Sequence, residues 1–193
     1  MSGCAHIYGS IHMTIQTEVL IETIKALISD IRWCSWNIFS TQDHTVTVIT
    51  HDKYSAVFYC KGDSIEEYWE YILNALVYTE GDGKGHRPDL IVDDGGDMTI
   101  LIHEGKKSEE LLIKDVTIHE PRSMDNVDFK ISQIIIKCQL EGGEKDKWNK
   151  IVNTCVEVFE ETSTGVHHLY YMEKTGIDHK KRERTRTESM CSK

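Results

Sequence analysis

Two rhythms of apolar and polar positions alternate along the 193-residue chain. Short apolar runs at 5–11, 31–36, 55–60 and 89–92 have the length and β-branched or aromatic content of buried strands. Between them lie stretches with apolar residues three and four apart. From Thr14 onward, Leu20, Ile24, Leu27 and Ile31 recur at helical spacing, and Val19, Ile21 and Ile28 widen the stripe. A helix apolar over so much of its circumference is expected to be buried. Ser64 and Glu67 form an S-x-x-E capping box ahead of Ile65, Tyr68, Trp69, Ile72, Leu73 and Leu76, the best helical stripe in the chain. Ser40-x-x-Asp43 resembles a second box. The helix it would open contains TVTVIT at 45–50, whose β-branched residues are weak helix formers. Asp97 is placed to cap a helix from Met98, and a last helix is expected over 166–172.

Strands alternating with helices predict an α/β fold of the doubly wound, three-layer Rossmann-like kind, with a mainly parallel sheet. Right-handed crossovers put the C-terminal ends of parallel strands on one edge, where such folds bind ligands. Polar side chains cluster at four expected strand-to-helix junctions. These hold His12, Thr14 and Gln16; Asn37, Ser40 and Gln42; Asp93 and Asp94; and Glu160 to Gly165 in EETSTG. Remote segments are therefore expected to meet at one rim.

Each cluster also has a plainer reading. Ser64 and Asp97 read best as helix caps, and Thr14 and Ser40 fit that role too. His12 alone is as well explained by a satisfied structural histidine. DDGGD at 93–97 has turn composition and lacks the ligand spacing of a calcium loop. GDGKG at 81–85 follows no strand, opens no helix and lacks the last Ser/Thr of a P-loop, so it reads as a flexible loop. His167 and His168 are neighbours, so on a helix they point apart and do not form a joint metal site. No metal site is expected.

Composition narrows the function classes. With 39% hydrophobic residues the chain can build one good core. The net charge is −10, although the stretch 179–193 holds six basic residues against two acidic ones. The rest is thus strongly acidic, which argues against nucleic-acid binding as the main activity. No apolar run has the length of a membrane span, and no segment reads as a signal peptide. The six cysteines are scattered with no C-x-x-C pair. A cytoplasmic protein with reduced thiols is the expectation.

Five segments, in order, resemble one family. GSIHMTIQTEVLIET, NIFSTQDH, DLIVDDGGDMT, LIH and EETSTGVHHLY are similar to motifs of adenosylhomocysteinase (S-adenosylhomocysteine hydrolase), over residues 9–172. DNVDFKISQIIIK at 125–137 resembles an insertion of that family's plant, bacterial and malarial-parasite branches. The resemblance implies a substrate-binding α/β domain over 1–178 with an inserted helical segment at about 105–157, while the charge run at 179–193 reads by composition as a basic, disordered tail. It implies reversible cleavage of S-adenosylhomocysteine to adenosine and homocysteine. In that reaction the ribose 3′-hydroxyl is oxidised with NAD as hydride acceptor, a base removes the C4′ proton, homocysteine leaves, water adds, and the ketone is reduced again.

The resemblance also assigns roles. His12 matches an acid/base histidine near C5′, and Asp94 a substrate-site aspartate active in proton transfer. Thr14 matches a threonine that contacts the nucleoside, and Gln16 the residue that hydrogen-bonds the adenine edge. Ser40 matches a pocket-lining serine, and Glu161 the glutamate on the ribose hydroxyls. Thr162, Ser163 and Thr164 match a threonine run that reaches the cofactor, with a serine at 163.

Departures from the pattern are equally specific. After Gly176 the sequence IDHKKRERTRTESMCSK is unlike the family, and neither the catalytic lysine nor the G-x-G-x-x-G loop of the NAD-binding domain occurs. TVTVIT replaces an alanine-rich family helix. Two readings stand. In one, the chain is the substrate-side part of an adenosylhomocysteinase whose cofactor side comes from elsewhere. In the other, it is a catalytically inactive, truncated paralogue that binds adenosine-like ligands, forms homo-oligomers or pairs with full-length subunits. On both, the chain alone is expected to show no turnover.

Overall fold

The computed structural model describes residues 5–27, 29–35, 41–52, 55–59, 62, 64–77, 87–113, 135 and 146–174. Ser40, Asn37, the 81–85 loop, the 125–134 part of the insertion-like motif and the basic tail lie outside them. Five strands and six helices alternate among the described residues: β1 (Ala5–Ser10), α1 (Ile15–Ala26), β2 (Ser29–Cys34), α2 (Asp43–His51), β3 (Ala56–Phe58), α3 (Ile65–Val77), β4 (Leu90–Asp93), α4 (Asp97–Ile113), α5 (Lys147–Thr154), β5 (Glu157–Glu160) and α6 (Ser163–Lys174). The strands form one sheet in the order β3-β2-β1-β4-β5, and every pairing is parallel. The α/β, Rossmann-like expectation holds.

The period of two along each strand divides the core between the two faces of the sheet. Tyr8, Cys34 and Ile91 face Trp69, Ile72 and Leu76 of α3, Met98 and Leu101 of α4, and Trp148 and Ile151 of α5. Ile31 and Trp33 face Ile21 of α1 and Ile49 of α2 on the other side. Each such fully buried side chain contributes about 1.5–3 kcal/mol by leaving water. Gly9 is needed for this packing, because a Cβ there would lie 2.4 Å from the Trp33 ring. The chain order runs outward from β1 in both directions, so the topological switch point falls between β1 and β4.

Local chemistry explains the element ends. The Ser64 box forms as expected: Ser64 N donates to Glu67 Oε2 at 2.8 Å, and Glu67 N donates to Ser64 Oγ at 3.3 Å. The weak helix former at 45–50 is helical within α2, with Thr45 and Ile49 buried. Tertiary burial outweighs intrinsic propensity there. Thr47 and Thr50 donate to the carbonyls of Asp43 and Val46, four residues back.

Several expectations are corrected. α1 ends at Ala26, and Ile31 belongs to β2, because pairing with β1 claims the backbone of Ser29–Cys34. α1 is also far from wrapped in protein: Ile15, Val19 and Leu27 are more than half exposed, and its buried residues are Thr17 and Ile21. The N-cap of α2 is Gln42, with no side-chain cap bond among the described residues. Asp97 is the first residue of α4 and accepts from Tyr68 Oη at 2.7 Å. The start of α4 is held instead by Asp93, at the end of β4. Its carboxylate accepts from Met98 N at 3.3 Å, Thr99 N at 2.9 Å and Thr99 Oγ1 at 2.7 Å. α6 starts at Ser163, three residues before the expected 166.

Candidate functional site

The last residues of four strands lie in register across the sheet: Cys34, Ser10, Asp93 and Glu160. All four are buried. The chain then leaves the sheet, and the next residues of β4 and β5 are Asp94 and Glu161. His12 follows two residues after β1, and Thr14 caps α1 by accepting from Thr17 N. The hydroxyl of Thr17 in turn donates to His12 O, tying the loop to the first turn of the helix. Gln42 N donates to Met13 O at 3.0 Å, so the junction after β2 touches the junction after β1. The described residues of the four polar junctions thus lie along one edge.

The central contact crosses the switch point. His12 Nε2 lies 3.2 Å from Asp94 Oδ2. The His12 side chain is 34% exposed and Asp94 is 2% exposed, so the imidazole is open to a ligand while the carboxylate lies beneath it. Burial pushes the Asp94 carboxyl up to about 6, and the negative charges of Glu161 and Glu160 push the same way. Asp94 and Glu161 each follow directly on the paired strand ends Asp93 and Glu160, which makes them neighbours at the rim. Glu161 itself is exposed, and its backbone N donates to Asp93 O at 2.9 Å. A carboxyl near 6 beside an imidazole is suited to moving protons near neutral pH.

The loop after β4 depends on Gly95 and Gly96, whose φ values of 80° and 81° favour glycine. DDGGD does form a turn, but Asp93, Asp94, Gly95 and Gly96 are buried, so it is not a surface turn, and the turn is what presents Asp94. Below it, burial raises the Asp93 carboxyl to about 7 against the pull of its bonds to Thr99. Cys34 is not a nucleophile here: burial drives its thiol to about 12, and Sγ donates to Gly9 O at 3.5 Å.

The remaining sequence-predicted residues separate. Gln16 is exposed in the first turn of α1, above the same rim, and Thr14 is half-buried. Ser163 and Thr164 expose hydroxyls at the first turn of α6, next to Glu161, where a dinucleotide could be reached. Thr162 is engaged within the protein: its hydroxyl donates to Glu160 Oε1 at 2.7 Å and accepts from Gly95 N and Gly165 N, each at 3.1 Å. Ser163 and Thr164 thus remain open to solvent, while the Thr162 side chain is held by the loop. His168 Nδ1 lies 3.1 Å from Gly95 O. Glu160 and Asp93 were visible in the sequence only as members of acidic pairs. Strand alternation is the signal that turns Glu160 inward and Glu161 outward, whereas Asp93 and Asp94 are both buried.

The S-adenosyl-L-homocysteine hydrolase family model matches residues 2–179. An adenosylhomocysteinase of Triticum aestivum is 50% identical over 172 residues, covering 89% of this chain and 34% of its own length. One from Solanum lycopersicum is 49% identical over 172 residues with the same coverage. The chain spans about a third of the length of these curated relatives. Among the described residues no helix is long and apolar enough to cross a membrane. The family match covers nearly the whole chain, and the aligned stretch includes every site residue described above; the chain belongs to the S-adenosyl-L-homocysteine hydrolase family.

Proposed function

We propose that this chain supplies the substrate side of an adenosylhomocysteinase, taking part in reversible hydrolysis of S-adenosylhomocysteine to adenosine and homocysteine. The observation that carries the reading is the 3.2 Å contact of His12 and Asp94 across the switch point, with Glu161 beside it. Thioether elimination and water addition next to a ribose need an acid/base pair close to the sugar and an anchor for vicinal hydroxyls. An imidazole over a carboxyl raised to about 6 provides the first. An exposed carboxylate provides the second, because charge-assisted O–H···O⁻ bonds are short and strong.

The roles follow from position. His12 is the proton carrier at the side of the sugar that holds the leaving sulfur and the attacking water. Asp94 orients the imidazole and holds the proton between transfers. Glu161 receives the ribose hydroxyls, Thr14 steadies the nucleoside, and Gln16 offers an amide to the adenine edge. Ser40, outside the described residues, is assigned to the pocket lining by the resemblance alone. Ser163 and Thr164 would contact NAD, with Thr162 fixing their loop. When bound, NAD supplies hydride exchange at the ribose 3′ position.

The test is a calorimetric titration of adenosine into the 193-residue chain and into Glu161→Ala. Loss of bonds to a charged acceptor is worth about 1.5–3 kcal/mol, so affinity should fall about tenfold or more. Equal affinities remove Glu161 from the site. Absence of binding by folded wild type refutes adenosine as the ligand.

A further inference from the structure

Glu160 is unusual among the acids at the rim. It ends β5 one residue before Glu161, and strand alternation turns the two in opposite directions. Glu161 faces out, while Glu160 is only 4% exposed. Its Oε1 accepts from Gly95 N at 3.0 Å, Thr162 N at 2.8 Å and Thr162 Oγ1 at 2.7 Å. Gly95 is the residue after Asp94, and Thr162 is the residue after Glu161. One oxygen atom therefore joins the direct neighbours of both candidate site carboxylates.

We propose that Glu160 is a positioning residue that clamps the loops carrying Asp94 and Glu161 into a single site, with Gly165 as the gap that admits its carboxyl group. The proposal rests on the functional reading above for what the site does, and on geometry alone for the clamp. A Cβ at position 165 would lie 2.2 Å from Glu160 Cδ and 2.3 and 2.4 Å from its two oxygens, so the carboxyl fits only against glycine. The Gly165 amide is used as well, donating to Thr162 Oγ1 at 3.1 Å, which closes the ring of bonds.

A strut alone would need only one acceptor oxygen. Glu160 Oε2 is buried with no hydrogen-bond partner among the described residues. A side-chain amide would supply the same acceptor without a buried charge, whose desolvation is costly. The charge has a use here: burial is the main cause that raises the Asp94 carboxyl to about 6, and the charge of Glu160 adds to it, with those of Glu161 and Asp97. Glu160 thus sets both where Asp94 stands and how readily it holds a proton.

Three 193-residue proteins test this: wild type, Glu160→Gln and Glu160→Ala. Amide hydrogen exchange reads the clamp, and a carbon-detected NMR titration of the Asp94 carboxyl reads the charge. Glu160→Ala should speed exchange at Gly95 and Thr162 about tenfold or more, with Ile7 and Ile31 in the sheet unchanged. Glu160→Gln should restore that protection while moving the Asp94 midpoint from about 6 toward its ordinary 3.8. Unchanged exchange in Glu160→Ala, or an unmoved Asp94 midpoint in Glu160→Gln, overturns the proposal. If Glu160→Ala does not fold, the Glu160→Gln titration decides alone. Adenosine added to the same samples separates the two claims. If wild type and Glu160→Ala bind it equally, the clamp is not a positioning device and the proposed function stands. If folded wild type binds none, the proposed function fails.

Discussion

Asp93→Asn is the sharpest perturbation of the scaffold under the site. The wild-type carboxyl is fully buried and accepts from Asp94 N at 3.2 Å, Met98 N at 3.3 Å, and Thr99 N and Oγ1 at 2.9 and 2.7 Å. Burial still dominates, raising it from 3.8 to about 7, and Glu160 and Asp97 add to the rise. The folded protein therefore holds this proton more tightly than the unfolded chain does. Stability conferred by the protonated form is complete at pH values below the unfolded pKa and is lost as pH rises through about 7. At ~1.4 kcal/mol per pH unit, a rise of about three units corresponds to ~4 kcal/mol in full, and ~3 kcal/mol falls between about pH 4.5 and 8. Asparagine does not titrate, keeps one acceptor oxygen for Thr99, and loses about 1–3 kcal/mol of capping. Urea unfolding across that range should show wild type losing about 3 kcal/mol more than the variant as pH rises. Other groups titrate in both proteins and largely cancel. Parallel curves, agreeing within about 0.5 kcal/mol in their pH dependence, would refute the claim that Asp93 is a buried, proton-holding cap.

Two further changes probe how the elements are fastened. Glu109, buried in α4, accepts from Trp148 N at 2.7 Å, Asn149 N at 2.9 Å and Asn149 Nδ2 at 2.8 Å, so it caps α5 from a distant helix. Glu109→Ala should cost about 3 kcal/mol in urea unfolding, and a loss under about 1 kcal/mol contradicts that role. Ser64→Ala removes one half of a solvent-exposed capping box and should lower stability by about 1 kcal/mol, read as a fall in Tm of about 2–4 °C. No change in Tm would mean that α3 is held by Trp69, Ile72 and Leu76 alone.

What was legible in the sequence was what depends on near neighbours. The Ser64 box spans three residues, and its partners cannot easily be anything else. Four of the five strands were legible because parallel, two-face-covered strands are nearly continuous apolar runs, whereas β5, EVFE at Glu157–Glu160, has only two apolar residues between glutamates and was not expected. The rim was legible because right-handed crossovers dictate which strand ends share an edge, and His12 and Asp94 do meet there. The role of Asp93 was not, because an aspartate one residue past an apolar run and one at a helix start compete for the same cap. Only the turn made by Gly95 and Gly96 decides between them. Glu109 was invisible because its partners lie about forty positions away. The stripe on α1 misled for a different reason. Apolar residues at helical spacing specify a face, but which faces are covered depends on what packs there, and Val19 and Leu27 remain exposed. Ser40 lies outside the described residues, so its place in the pocket stays a proposal.

The central claim is that remote segments converge on one rim to hold one nucleoside. Mapping adenosine-induced shifts in the amide NMR spectrum of the full chain tests it most directly. The account predicts that the perturbed residues are His12, Thr14, Gln16, Asp94, Gly95 and Glu161 to Thr164, with the opposite ends of the strands unmoved. Shifts confined to one of these segments, or centred on the N-terminal edge of the sheet around Asp89 and Glu157, would contradict it.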